Sequence, residues 1–329
     1  MNERNVGMLG LGAYVPERVM TNDDWAQYVD TTDEWITSRT GIKTRRIAAD
    51  DQTTVDLAAA AAERALDDAG VPIDEIDEII IATDTPEVYI PDTASFLQHR
   101  LGAREIPAFD MGGSGCAGFV YGLDIACSRA MQGKKKILVV GVELLTRFLD
   151  WTDRSTVVLF GDGAGAAVIG SGDGASEILG FTAGTDGSQA GILTLVSGGT
   201  RKPFTLEGAQ RNEHKDIIMK GREVFREAVS RMTSAAKKVL AQAGVNVEDV
   251  DLVIPHQANI RIINAVRKVL DVPDEKLFVN VQNYGNTGSA SIPLALWEAR
   301  NQGKAKKGDL VLMTAFGAGF HWAAMLMRL

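Results

Sequence analysis

A chain of 329 residues with 45% hydrophobic and 23% charged residues has an ordinary globular balance, and it is long enough for two domains or one large composite core. Its formal charge of −9 excludes a nucleic-acid coat, because phosphate binding needs an excess of Lys and Arg, so any acidic partner must find a local basic patch. No apolar run approaches the ~18 residues of a membrane span, Met1–Asn5 lacks a signal-peptide core, and Cys116 and Cys127 form no Cys-x-x-Cys, so the expectation is a reduced cytoplasmic protein without metal, disulfide or membrane partner.

Along the chain, the segment Ala65-Leu-Asp-Asp-Ala-Gly70-Val reads as the end of an amphipathic helix stopped by glycine, followed by a buried strand at Ile79–Ala82. The loop Thr83–Pro91 carries an apolar tip, Val88-Tyr89-Ile90. A strand over Pro107–Met111 leads into a Gly-rich turn holding Cys116, then a helix over Phe119–Ala130 and a strand over Ile137–Val140. The basic run Lys134-Lys135-Lys136 reads as a solvated turn before that strand. Further on, a helix stopped by Gly244 precedes a strand at Leu252–Ile254, a helix covers Ile292–Arg300, and a strand covers Leu310–Met313.

These elements repeat. Gly70 and Gly244 are 174 positions apart, each followed by an acidic turn and a strand; Cys116-Ala117 and Ser289-Ala290 are 173 apart, each ahead of a helix. Phe160-Gly-Asp-Gly163 and Phe316-Gly-Ala-Gly319 are 156 apart, the difference falling on an insertion near Leu144–Ser155. The chain therefore divides into two similar α/β halves, 1–172 and 173–329, with strands apolar enough to be covered on both faces.

Cys116, in Gly-Gly-Ser-Gly-Cys116-Ala-Gly-Phe119, sits where a helix amino terminus would favour thiolate, which fits a nucleophile; a small buried hydrophobe is the other reading. Cys127 lies inside the helix and reads as core. His256 opens the polar run His-Gln-Ala-Asn259 just past a strand's carboxyl end, where α/β sheets place ligands, although a structural histidine fits there too. Asn286, in Asn283-Tyr-Gly-Asn286-Thr-Gly288, could be a mere turn residue. The repeat nevertheless puts its loop where Cys116 stands in the first half, so a pseudo-twofold would bring both loops to one cleft. Gly10-Leu-Gly12 and Gly161-Asp-Gly163 lack the full dinucleotide fingerprint and read as close packing.

Gly-Cys116-Ala-Gly-Phe, Ile-Pro-His256-Gln-Ala-Asn and Tyr-Gly-Asn286-Thr resemble the catalytic trio of the ketoacyl-ACP synthase III family. Asp30–Ile42, Phe160–Ala167 and Ala315–Phe320 look like further signatures of it, so the resemblance spans nearly the whole chain. It implies a thiolase-like five-layered αβαβα fold built from two duplicated halves, and a homodimer. The implied reaction is a decarboxylative Claisen condensation. Acyl-CoA acylates Cys116, then malonyl-acyl carrier protein loses CO2 and attacks the thioester, with no cofactor beyond CoA thioesters as substrates. By similarity the backbone N–H groups of Cys116 and Ala318 form the oxyanion hole, and His256 and Asn286 stabilise the enolate. Trp35 and Arg154 resemble residues that sandwich the CoA adenine, with Thr31, Arg39 and Asn259 also assigned to CoA. Ile90, reaching a partner subunit, and Phe316 are assigned to the acyl pocket, and Arg261, Arg267 and Lys268 to the carrier-protein patch.

The sequence departs from the common pattern at Gly112–Gly115, at Arg222 and at His321-Trp322-Ala323, which bears on primer size and CoA contacts. A degradative thiolase would need a second cysteine in the carboxyl-terminal half, and a two-histidine elongating synthase a histidine in place of Asn286. A starter-unit ketosynthase or acyltransferase of polyketide metabolism shares the trio and is not separated by sequence. A non-catalytic thioester-binding scaffold has no reason to keep it.

Overall fold

The structure, a computed structural model, describes residues 6–133, 136–172 and 175–329. The amino-terminal residues 1–5, the lysines 134 and 135 and the proposed boundary beside residue 173 lie outside the described residues. Nine strands build two sheets: β1 (Val6–Tyr14), β2 (Glu78–Thr83), β3 (Ala108–Gly112), β4 (Lys136–Leu144), β5 (Asp162–Ser171), β6 (Glu177–Thr185), β7 (Leu252–Pro255), β8 (Leu310–Gly317) and β9 (His321–Arg328). The first sheet runs β1-β5-β4-β2-β3 and the second β7-β8-β9-β6. β2 pairs in parallel with β3 and β4, and β7 in parallel with β8.

Five helices complete the layers: α1 (Thr54–Ala69), α2 (Gly118–Met131), α3 (Gly221–Ala243), α4 (Ile260–Leu270) and α5 (Ser291–Asn301). α2 and α5 lie between the sheets, α1 covers the outer face of the first, and α3 with α4 covers the outer face of the second, giving αβαβα. The order follows from side-chain alternation. In β2, fully buried Ile80 faces the central layer while Ile79 and Ile81 face α1, and each such burial is worth about 1.5–3 kcal/mol.

Local signals set the helix ends. Thr53 caps α1 in a reciprocal pair with Asp56, and Gly70 ends it in the left-handed region at φ 62°. Gly244 ends α3 the same way at φ 66°. The small residues of α1 let β1 come close: a side chain on Gly12 would meet the Ala61 carbonyl oxygen at 2.4 Å, so this glycine pair serves packing.

The topology brings the two halves' loops together. β3 ends at Gly112 beside Thr83 of β2, and the chain turns through Gly115–Ala117 into α2. In the second half, the turn Gly288–Ala290 leads into α5 and packs against the turn holding Cys116.

Candidate active site

Cys116, His256 and Asn286 line a single cavity of about 1490 Å³, together with Trp35, Arg39, Asn259, Arg261, Phe316 and Ala318 among others. The sequence's trio is therefore one site, assembled from residues up to 170 positions apart.

Each member is held by a different device. His256 follows β7, and its N–H bonds the Thr314 carbonyl at 2.8 Å, extending the parallel pairing by one residue. The next residue, Gln257, is buried with both ends of its amide used: Nε2 donates to the carbonyls of Pro255 at 2.7 Å and Phe278 at 3.2 Å, and Oε1 accepts from the N–H groups of Asn280 and Val281. The His256 ring is buried, and its Nδ1 lies 2.5 Å from the Ser291 hydroxyl at the start of α5. That hydroxyl also accepts from the Gln257 N–H at 3.3 Å, and its own proton has no other acceptor among the described residues. Ser291 therefore donates to Nδ1, which puts the ring proton on Nε2. Burial lowers the His256 pKa to about 3, so the ring is neutral.

Asn286 is pinned through its backbone: its N–H bonds the Leu159 carbonyl at 2.8 Å and its carbonyl accepts from Gly161 at 3.0 Å. Its side-chain oxygen accepts from the Gly288 N–H at 2.9 Å, which turns the NH2 end toward the Cys116 sulfur. At Cys116 itself, Gly115 and Gly317 allow two strands of backbone to touch. A side chain on Gly317 would stand 2.2 Å from the Cys116 nitrogen, and one on Gly115 would stand 2.7 Å from the Ala318 nitrogen. The two amides assigned to the oxyanion hole are thus brought side by side at the cavity wall.

The thiol's protonation departs from the sequence expectation. Cys116 is part-exposed to the cavity, but burial on its other sides, then the carboxyls of Asp84 and Glu143, push its pKa up; its own N–H and the Asn286 amide pull the other way and lose. The resting group is a thiol. Cys127 is buried and pushed up to about 12, chiefly by burial, in line with a core residue.

At the mouth, the Trp35 ring carries the guanidinium of Arg39 at 4.4 Å and that of Arg154 at 4.6 Å from its centroid. A flat ring seated between Trp35 and Arg154 needs two contacts of about 3.5 Å, so Arg154 must swing outward to admit one. Asn259 caps α4 through the Arg261 N–H at 2.8 Å and donates to the Arg39 carbonyl at 3.2 Å. Thr31 is buried outside the cavity lining, and Arg267 is engaged by Asp274 at 3.0 Å and the Val272 carbonyl at 3.1 Å; Arg261 and Lys268 remain exposed. Ile90 is 88% exposed and does not line the cavity of its own chain, unlike its neighbours Val88 and Tyr89.

Sequence reading missed Ser291, Gln257, Asp84 and Glu143. Only Glu143 carried a signal, a carboxylate inside the otherwise apolar run of β4.

The five-layered fold, with a cysteine, a histidine and an asparagine around one cavity, is that of the thiolase-type condensing acyltransferases. Residues 109–187 match the family described as 3-Oxoacyl-[acyl-carrier-protein (ACP)] synthase III, and residues 240–329 its C-terminal part. The beta-ketoacyl-[acyl-carrier-protein] synthase III of Caldanaerobacter subterraneus subsp. tengcongensis is 48% identical over 323 residues, 98% of this chain and 97% of the relative. The crystal structure of 3-oxoacyl-[acyl-carrier-protein] synthase III from Aquifex aeolicus superposes with a TM-score of 0.90 at 47% identity, covering 98% of this chain and 100% of that one. The priming beta-ketosynthase of the R1128 polyketide pathway has the same TM-score but 38% identity, covering 99% of this chain and 96% of that one. The chain belongs to the beta-ketoacyl-[acyl-carrier-protein] synthase III family.

Proposed function

We propose that this enzyme condenses an acyl-CoA primer with malonyl-acyl carrier protein to give 3-oxoacyl-acyl carrier protein, CO2 and CoA, the step that initiates fatty acid synthesis. The observation that carries the reading is the aim of two neutral N–H donors, Asn286 Nδ2 and His256 Nε2, into the cavity that holds Cys116.

Cys116 sulfur attacks the primer carbonyl, the oxyanion accepts from the N–H groups of Cys116 and Ala318, and CoA leaves carrying the proton that the thiol gives up. The malonyl thioester then loses CO2. The electron pair of the broken C–C bond becomes an enolate, whose oxygen accepts from His256 and Asn286; the enolate carbon attacks the acyl carbon on Cys116, the C–S bond breaks, and the Cys116 sulfur leaves as thiolate and takes up a proton from solvent. A ring held neutral is well suited to this: it donates without first taking a proton.

The same reading assigns Trp35, Arg39, Arg154 and Asn259 to CoA, with Thr31 acting from behind the wall, and Phe316 and the partner-reaching Ile90 to the acyl pocket. Arg261 and Lys268, seven residues apart and so on one face of α4, form the core of the carrier-protein patch, with Arg267 at its edge. The exposed Val88-Tyr89-Ile90 run supports a homodimer. The division into a nucleophile half, 1–172, and a His/Asn half, 173–329, is part of the reading, and it is supported by sheets that draw on residues 6–171 and 177–328 respectively. The reading assigns no resident cofactor. It places the enzyme in the cytoplasm, in keeping with the lack, among the described residues, of a helix long and apolar enough to cross a membrane.

The test is intact mass after incubation with a panel of acyl-CoAs, alongside CO2 release from malonyl-acyl carrier protein. Cys116→Ala should lose the acyl mass shift and keep decarboxylation, whereas His256→Ala and Asn286→Ala should keep acylation and lose decarboxylation by roughly 10²–10³-fold. Failure of any acyl-CoA to load Cys116 sinks the reading.

A further inference from the structure

Behind the wall on which Asn286 hangs stands a buried arginine that does not line the cavity. Arg45 is 0% exposed and lies on the short strand Thr44–Ile47, which pairs with Arg18–Thr21. Its guanidinium gives three hydrogen bonds, all to neutral oxygens: Nη2 to the Val158 carbonyl at 2.7 Å, and Nη1 to Asn22 Oδ1 at 2.8 Å and the Met20 carbonyl at 3.4 Å. Nε is buried with no hydrogen-bond partner. Burial lowers the Arg45 pKa to about 10, against the more distant pull of Asp24, so the group is charged at neutral pH. Among the described residues no carboxylate forms an ion pair with it, and a buried cation without a paired acid is costly to keep. What it holds in place is read from its contacts.

Those contacts run to Asn286. Val158, Leu159 and Phe160 line the cavity, and the Leu159 carbonyl, one residue past the acceptor of Arg45, takes the Asn286 N–H at 2.8 Å. Gly161 returns the bond, from its N–H to the Asn286 carbonyl at 3.0 Å. The Arg45 stem packs where side chains are missing: one on Gly161 would stand 3.0 Å from Arg45 Cβ, and one on Gly285, at φ 65°, would stand 3.6 Å from it. The two residues before Arg45 hold the approach to the same loop, Lys43 N–H on the Gln282 carbonyl and Thr44 Oγ1 on the Asn283 carbonyl, both at 2.9 Å. The far end of the guanidinium is anchored as well. Asn22 gives its NH2 to the Ile42 carbonyl at 2.7 Å and to Asp33 at 2.8 Å, which leaves Oδ1 for Arg45. Asp33 begins the helix Asp33–Thr40, which carries Trp35 and Arg39.

We infer that Arg45 is a positioning residue of the condensation: from behind the wall it fixes the segment Val158–Gly161 on which Asn286 hangs, and so sets where the Asn286 NH2 points. The inference rests on the donor role proposed above for Asn286. A guanidinium suits the task because its planar fork holds two separate acceptors in fixed directions, Val158 on the side of Asn286 and Asn22 on the side of the mouth helix. An ammonium is a single point and cannot span both. Misplacing a catalytic group by 1 Å costs about a hundredfold in rate, so a small shift of this segment is enough to matter.

The test is a double-mutant cycle on decarboxylation of malonyl-acyl carrier protein, with acylation of Cys116 at saturating acyl-CoA read beside it by intact mass. Arg45→Met keeps an apolar stem against Gly161 and Gly285 and removes the fork. It should lower decarboxylation by roughly tenfold to a hundredfold and leave acylation near the parent rate. In the Asn286→Ala background the same change should cost less than about twofold, because the group it positions is gone. A loss that multiplies with that of Asn286→Ala overturns the inference, since an arginine that only supports the fold weakens both backgrounds alike. A parental decarboxylation rate in Arg45→Met overturns it too, as does an equal loss in acylation. Asn286→Ala alone reads the donor role: a parental rate there strikes that role and this inference with it, whereas failure of the Arg45 arms alone leaves the condensation reading standing. Should Arg45→Met not fold, Arg45→Lys goes through the same cycle. The ammonium keeps one acceptor of the two, so a smaller loss that again vanishes in the Asn286→Ala background is expected, and a parental rate or a multiplying loss overturns the inference.

Discussion

Ser291→Ala isolates what the second half contributes to the histidine. The substitution removes a buried hydroxyl 2.5 Å from His256 Nδ1 and leaves that nitrogen, and the Gln257 N–H, without their partner. An unsatisfied buried polar group costs about 1–3 kcal/mol, so the variant should unfold at lower urea by that amount. The functional loss has a different origin. The serine proton fixes the tautomer that presents Nε2–H to the cavity, and one neutral hydrogen bond of about 1–1.5 kcal/mol biases that choice by roughly tenfold. Losing that bias takes the productive tautomer from about nine-tenths to about half, so decarboxylation of malonyl-acyl carrier protein should fall about twofold, well short of the loss in His256→Ala, while acylation of Cys116 by acyl-CoA stays near the parent rate. The assay is single-turnover CO2 release beside intact-mass acylation. Parental decarboxylation refutes the tautomer argument, and an equal loss in both steps shows that the serine shapes the cavity as a whole.

Ile90→Gly should lengthen the accepted primer and Ile90→Trp shorten it, at about 1–3 kcal/mol per methylene, and an acyl-CoA profile unchanged in both would remove Ile90 from the partner's acyl pocket. Reversing Arg261 and Lys268 to Glu should raise KM for malonyl-acyl carrier protein and flatten its salt dependence while sparing acyl-CoA; equal loss for both substrates would point to a shared entrance. His256 also makes folding sensitive to acid. Its folded pKa of about 3 lies below the unfolded value of 6.5, so the unfolded chain takes the proton first, and stability is lost as pH falls below 6.5, continuing toward 3. From pH 7 to pH 5 this amounts to about 2 kcal/mol, read as the difference in urea unfolding between the parent and His256→Gln. The carboxyl groups of Asp84 and Glu143, raised chiefly by burial, act in the opposite sense, losing stability as pH rises, but they are common to both proteins and cancel in the comparison.

Much of this architecture is local and was therefore open to reading along the chain. A continuous apolar run such as Ile79–Ala82 specifies a strand covered on both faces. Gly70 and Gly244 end their helices because a left-handed residue is needed there, and the spacing of Cys116 and Ser289 reports the duplicated turns. Those signals sufficed for two similar α/β halves and for singling out Cys116, His256 and Asn286; the five layers and the roles of the trio came from the resemblance to the ketoacyl-ACP synthase III family. They could not say where a side chain points or which charge state it keeps. The aim of Asn286 depends on the Gly288 N–H, and the tautomer of His256 on a serine 35 positions away. The helix-terminus argument, which weighs only the nearest backbone, pointed Cys116 toward thiolate; the fold reversed the sign chiefly by closing the protein around the sulfur, and then by bringing up Asp84 and Glu143 from 32 and 27 positions away. Periodicity and capping act within a few residues along the chain, whereas desolvation and charge act through space, and only the folded chain determines those distances.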